Sequence, residues 1–278
     1  MASNPAGKAT KPPLNMLHLP LIGPFLRWRW GRLLPQLFLL LVAALVIYDG
    51  FTGPDLAPAN SATVLSWVHY RGFVILALLL AGNLFCAACP FTLPRTIARR
   101  LSLAGGRFPR RLRTKWLALA SLLLIFWLYE WLDLWASPAL TAWVVIAYFT
   151  ASFALEALFS ESPFCKYVCP LGAFNFVHST LSPLQITEVD RQVCRTCPGK
   201  ECLNGDGETL GCGTELFVPT MRSNLDCILC LDCARTCPYD NVALVVRKPL
   251  AELTDPLQRY RPDLAILVAA LTFISLSN

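Results

Sequence analysis

Cys227, Cys230, Cys233 and Cys237 follow one another as C-x2-C-x2-C-x3-C, and Pro238 closes the run. Thiolates at this spacing hold [4Fe–4S] clusters, which carry single electrons. A structural zinc site would instead want two separated C-x2-C pairs, and the third cysteine comes too soon for that. The chain has twelve cysteines in all. Four stand upstream of the run, at Cys194, Cys197, Cys202 and Cys212, and four further back, at Cys86, Cys89, Cys165 and Cys169. Disulfide frameworks belong to small secreted chains, so grouped cysteines in a long apolar chain read as ligands.

Where two clusters share such a run, its fourth cysteine ligates the other cluster. Cys227, Cys230 and Cys233 then share one cluster and Cys237 reaches to the second. The simplest closed count gives Cys194, Cys197, Cys202 and Cys237 to one, with Cys212 completing the other. A zinc ion on Cys194–Cys212, or the absence of one cluster, stays open as the alternative. The Gly-rich insert 204–213 can turn tightly and aim backbone N–H groups at sulfur, or serve as a plain loop. The segment from Asp240 to Leu244 reads as a closing strand. So small a domain has too little apolar area to fold alone and needs its clusters for stability.

Cys86-Ala-Ala-Cys89-Pro90 and Cys165-Lys-Tyr-Val-Cys169-Pro170 form a weak internal repeat, each preceded by phenylalanine. Three readings stay open for this quartet: a third Fe–S cluster, a dithiol pair exchanging disulfides, or small buried apolar residues. The repeated Cys-Pro favours ligation, because proline fixes the backbone after the ligand and removes a competing donor.

The elements that must position these cysteines are apolar. Of 278 residues, 55% are hydrophobic and only 15% charged, which points to several spans plus a smaller polar module. A hydrocarbon core of about 30 Å needs about 20 helical residues. Residues 33–48, 63–85, 116–135 and 140–159 meet that need, and 263–278 starts a fifth helix that reads as cut within its span. Between the second and third spans stand Arg95, Arg99, Arg100, Arg107, Arg110, Arg111, Arg113 and Lys115, with no acid among them. The 49–62 loop carries Asp49 and Asp55 and no base. The positive-inside rule then puts the basic loop, the N-terminus and residues 160–262 in the cytoplasm. The net charge of +6 sits mostly in that loop and does not imply nucleic acid. Residues 1–13 read as disordered, and 14–30, with Trp28 and Trp30 among arginines, as an interfacial lead-in.

The expected architecture is an all-α polytopic membrane domain of four helices, with a fifth at the C-terminus, plus a small α+β two-cluster bacterial-ferredoxin-like domain. The expected divisions are 1–32 for the N-terminal segment, 33–183 for the membrane domain, 184–250 for the cluster domain and 263–278 for the last helix.

The hairpins ending in Cys86–Pro90 and Cys165–Pro170, followed by the Cys227–Pro238 run, resemble membrane-bound polyferredoxins of the NapH and NosR type. The upstream block from Cys194 through Cys202 and Cys212 into Cys227 is similar to the ferredoxin family called FesM. The resemblance covers most of 27–245. It implies a multi-pass protein of the bacterial cytoplasmic membrane that relays electrons between the quinone pool and a redox partner protein. The first membrane motif departs from that group in having two residues between its cysteines instead of three. No flavin attachment site is present, and three dispersed histidines leave no pair for haem.

His69, Arg71 and Glu130 could form a polar pocket for a quinone headgroup; the blander reading pairs Arg71 with Glu130 or Asp133. Glu156 reads as an interfacial acid and His178 as a packing residue. The chain reads as an electron carrier or quinol-dehydrogenase-like subunit rather than a stand-alone enzyme. The rival reading is an accessory protein that senses redox state or helps mature another metalloenzyme.

Overall fold

The computed structural model describes residues 14–28, 30–101, 106–160, 162–248 and 261–277. The expected disordered stretch 1–13 lies outside them. Helix α1, Leu33–Thr52, is apolar on every side and ends at Gly53, with Pro35 in its first turn, where the missing N–H costs no intrahelical bond. Phe38, Leu41 and Leu45 stay exposed around it, as a helix facing lipid leaves them. Only a narrow seam is buried. At Gly50 any Cβ would collide with Ala142 and the Pro138 carbonyl, so this glycine lets α1 approach α4 (Pro138–Leu158) closely. Pro138 opens α4 behind the Ser137 cap, the position proline suits best.

Between them the chain bends. Ser61–His69 and Gly72–Leu80 form one apolar pair bent by 40°, and Val64–His69 is wound as a π-helix. Trp67 in that segment donates to Thr141 Oγ1 (3.0 Å) and meets the Tyr129 ring edge-on at 4.9 Å. An inserted side chain that claims partners on neighbouring helices is a recognised cause of such a bend. The pair continues as α2, Tyr70–Ala81.

Helix α3, Trp116–Trp131, packs through Ala118, Leu119 and Leu122 on α5 (Pro170–Ser179) and α6 (Pro262–Ser277), where Ala173, Leu267 and Leu271 complete the core. Two strands, β1 (Leu184–Glu188) and β2 (Val242–Val246), pair antiparallel with Ile186 opposite Leu244. The chain between them forms short helices and irregular turns carrying eight of the cysteines.

This corrects the expected fold. Among the described residues two helices, α1 and α4, are long and apolar enough to cross a membrane, or three if the bent pair is one span. At about 1.5 Å per residue, the 16 residues of α3 reach only about 24 Å, and a left-handed Asp133 (φ 45°) turns the chain soon after. The expected ferredoxin-like α+β domain is not formed either. Among the described residues a single two-stranded sheet braces the cysteine module, and no three His, Cys, Asp or Glu converge on a single metal ion. The protein is a helical membrane protein with an irregular, cysteine-rich module.

The membrane part and the module interlock along one face. Asn83 after α2 donates to Cys227 O (2.7 Å). Lys115 before α3 reaches Asp226 (2.5 Å), and Ser162 after α4 donates to Gly213 O (2.8 Å). The N-terminal segment joins the same face. Leu17 is buried in the module's core with Ile186, Leu231 and Leu244, and Arg27 pairs with Asp240 (2.6 Å). The expected interfacial lead-in is therefore a strap across the module, its Trp28 and Trp30 left exposed.

Candidate functional site

The cysteines fall into three groups. Cys194, Cys197, Cys202 and Cys237 line one cavity, closed by Val193, Phe217, Val218 and Val242. They come from three separate stretches. Cys194 lies on the short helix Arg191–Thr196, capped by Asp190, whose carboxylate accepts from Gln192 N (2.7 Å), and Cys197 stands at its end. Cys202 lies in Glu201–Asn204, and Cys237 follows the Asp232–Arg235 turn. Asn241 ties the group together. Its side-chain amide donates to Cys194 Sγ (3.2 Å) and to Asp190 O (2.6 Å). Its backbone N–H points at Cys237 Sγ (3.4 Å).

The second group is Cys212, Cys227, Cys230 and Cys233, close enough for each charge to act on the others. The backbone here is contorted. Asp226 (φ 65°), Leu229 (φ 49°) and Leu231 (φ 61°) are all left-handed, and none is glycine. Such conformations cost about 1–3 kcal/mol each and persist where the surroundings demand them. They turn N–H groups inward, Leu229 N–H to Cys227 and Asp232 N–H to Cys230, and after the left-handed Glu215 (φ 54°) Leu216 N donates to Cys212 Sγ at 3.3 Å. Successive amides in such turns make concave sites for anions, Fe–S sites among them.

Burial raises the thiols. The Cys227 pKa is pushed up to about 12 against the pull of the Leu229 amide. Cys202 goes to about 11 against the Val218 amide, and Cys194, Cys230 and Cys233 are also raised by burial. Burial thus holds these thiols neutral, while the neighbouring amide donors act in the opposite direction.

The third group sits where the membrane part meets the module. Cys86 is buried with Phe176, Ile228 and Cys230 and accepts from Asn175 Nδ2 (3.1 Å). Its charge reaches Cys89, Cys169 and Cys227. Cys89 and Cys169 each stand just before a proline that opens the next helical turn, and Gly172 N donates to Cys169 Sγ (3.2 Å). Cys165 lies on the π-helical turn Phe164–Val168, within electrostatic reach of Cys169 and Cys89. The three groups therefore succeed one another inward. Cys202 shares its core with Cys227 and Cys233, and Cys230 shares the next with Cys86.

Two of the residues considered for a quinone pocket can be placed. His69 and Glu130 are both exposed, and among the described contacts His69 meets Phe73. The Arg71 side chain lies outside the described residues. Their neighbours Trp67 and Tyr129 are the ones in contact. Glu156, expected at the interface, is buried, as are Arg95, Lys115 and Lys166. Lys115 and Lys166 were legible only as basic-loop and inter-cysteine residues. Lys166 Nζ in fact donates to Thr214 O (2.9 Å) beside Cys212, and nothing in local sequence marks that partner.

No protein-family model, curated protein or solved structure matches this chain.

Proposed function

We propose that this membrane protein transfers electrons through iron–sulfur clusters held by its three cysteine groups. The observation that carries the reading is the cavity lined by Cys194, Cys197, Cys202 and Cys237. Four thiols drawn from three stretches enclose one space, with amide donors at two of their sulfurs. The thiols do not converge on a point as ligands of one ion do; in a cubane each thiolate holds a different iron. A cluster in each group would supply one-electron transfer at a potential set by hydrogen bonds, charge and exposure.

The chain's own part is to hold the thiolates, direct N–H groups at sulfur and exclude water. The left-handed turns at Asp226, Leu229 and Leu231 serve the second group in this way. Asn175 and the Gly172 amide serve the third. The succession of groups, from the module's outer cavity to the membrane helices, supports a relay with one end at the membrane and one at the module surface. A membrane quinol or quinone at the first end and a redox protein at the second follow from the resemblance to the NapH and NosR type. The module packs against Arg95 and Lys115 of the basic loop, and the positive-inside rule supports reading that face as cytoplasmic.

Anaerobic purification with iron and sulfide analysis, followed by EPR after reduction, tests this. About twelve irons per chain, at four per cluster, is the expected result, and about eight would remove the membrane-edge cluster. One or two zinc ions and no sulfide would overturn the proposal.

A further inference from the structure

Arg95 is buried to 4% exposure in the midst of the cysteines. It lies on Leu93–Arg100, the helix that follows the Cys86–Pro90 motif and packs on α4. Its guanidinium donates to a neutral group, Ser162 Oγ (3.0 Å), which hands its own proton to Gly213 O (2.8 Å). Gly213 is the neighbour of Cys212, and any Cβ on it would collide with the guanidinium carbon. The charge is thus laid flat against the backbone of one cysteine group. The negative groups in its electrostatic reach are Glu156, Cys230, Cys165 and Asp232. Asp232 is already shared by Arg32 and Arg235, both at 2.8 Å. A buried charge is costly unless opposite charge surrounds it; here Glu156 comes first, followed by Cys230 and Cys165, one from each of two cysteine groups.

We infer that Arg95, opposed by Glu156, is the positioning charge that sets the potentials of the second and third cysteine groups together. The inference rests on the cluster reading above. Reduction adds one electron to a thiolate-held cluster and breaks no bond. A fixed guanidinium between two such sites favours the reduced form of both, without a proton having to move. Glu156 lies on α4, within reach of both Arg95 and Cys165, and acts with the opposite sign. The outer group, Cys194, Cys197, Cys202 and Cys237, is absent from the partners of Arg95 and serves as the internal control.

The test is an electrochemically poised, EPR-monitored titration of the anaerobically purified chain, with iron counted in each variant. Arg95→Gln is expected to keep its iron and to lower the potentials of two signals. The reduced-to-oxidised ratio at fixed potential should fall about tenfold, about 59 mV for one electron. Glu156→Gln is expected to raise the same two signals and leave the third in place, and Arg95→Lys to stay near the parent. Unshifted signals in an iron-replete Arg95→Gln overturn the inference and leave the cluster reading standing. If Arg95→Gln loses iron, the Glu156→Gln titration decides, and the absence of a rise there overturns it. A parent chain without cluster signals defeats the cluster reading itself.

Discussion

Lys115 Nζ lies 2.5 Å from Asp226 Oδ1, and the lysine side chain is only 1% exposed. The same ammonium donates to Lys166 O (2.6 Å) and sits 5.2 Å from the centre of the Phe176 ring. Its own backbone N–H donates to Asp263 Oδ2 (2.8 Å). One residue therefore joins the start of α3, the Cys165 turn, the residue before Cys227 and the start of α6. Removing one partner of a buried ion pair costs about 3–5 kcal/mol, because the other is left uncompensated. Lys115→Met should lose roughly the lower end of that range in denaturant unfolding in detergent. Lys115→Met paired with Asp226→Leu should recover part of it, since the uncompensated charge is then gone.

Asp263 gives the fold an acid limit. Burial raises its carboxyl, but the Arg261 hydrogen bond, the Lys115 amide and the Arg261 charge outweigh that and hold it at about 2, against an ordinary 3.8. A carboxyl lowered on folding contributes stability above its unfolded pKa and loses it as pH falls through the folded one. The contribution is about 2 kcal/mol, fully present above pH ~5 and fading toward pH ~2. Unfolding midpoints of the parent and Asp263→Asn, followed from pH 6 downward, should differ most near neutrality and converge in acid. A constant gap would contradict this origin.

The cavity and the electrostatic neighbours make a pairing test that ignores sequence order. Cys237→Ser and Cys194→Ser should abolish the same EPR signal, and Cys212→Ser should match Cys227→Ser instead. Each loss should amount to about four irons. A chain in which Cys227, Cys230, Cys233 and Cys237 served one cluster would make Cys237→Ser match Cys227→Ser.

Asn241 joins β2 to the outer group through both of its amide atoms, since Asp190 N also donates to its Oδ1 (2.8 Å). Leaving such buried partners unsatisfied costs about 1–3 kcal/mol. Asn241→Ala should destabilise by that order in the apo chain and should also shift the outer cluster signal. Asn241→Asp, which keeps the acceptor, should lose the shift-free signal as well, because its carboxylate cannot donate to Cys194 Sγ.

Residue type and interval singled out the cysteines and set Cys194, Cys197, Cys202 and Cys237 together, as they line one cavity, and helix α4 could be read from its apolar run, 140–159. A strand was expected at 240–244, after the last Cys-Pro, and the structure sets it at Val242–Val246. The membrane count was not. Apolar length over 116–135 says nothing of the left-handed Asp133 that ends α3 early, and the bend near Val64–His69 depends on Trp67 finding Thr141, 74 residues away. The expected ferredoxin-like domain failed because ligand spacing constrains the loops around sulfur and leaves the remaining backbone free. Here that backbone forms irregular turns held by the strap and the membrane helices. The burial of Arg95, Lys115 and Glu156 was equally hidden, since each depends on partners distant in sequence.

The strap also sets an order of manufacture. Arg27 and Asp240 are 213 residues apart in the chain, so a ribosome working at about 5–20 residues per second separates their synthesis by about 10–40 s. Throughout that interval Leu17 has no core to enter, while the apolar helices between are delivered to the bilayer. The nascent segment must be kept from aggregation until the last cysteines emerge. The module's core therefore closes only after Asp240 has been made, and any pause between Leu33 and Asp240 lengthens the time Leu17 waits.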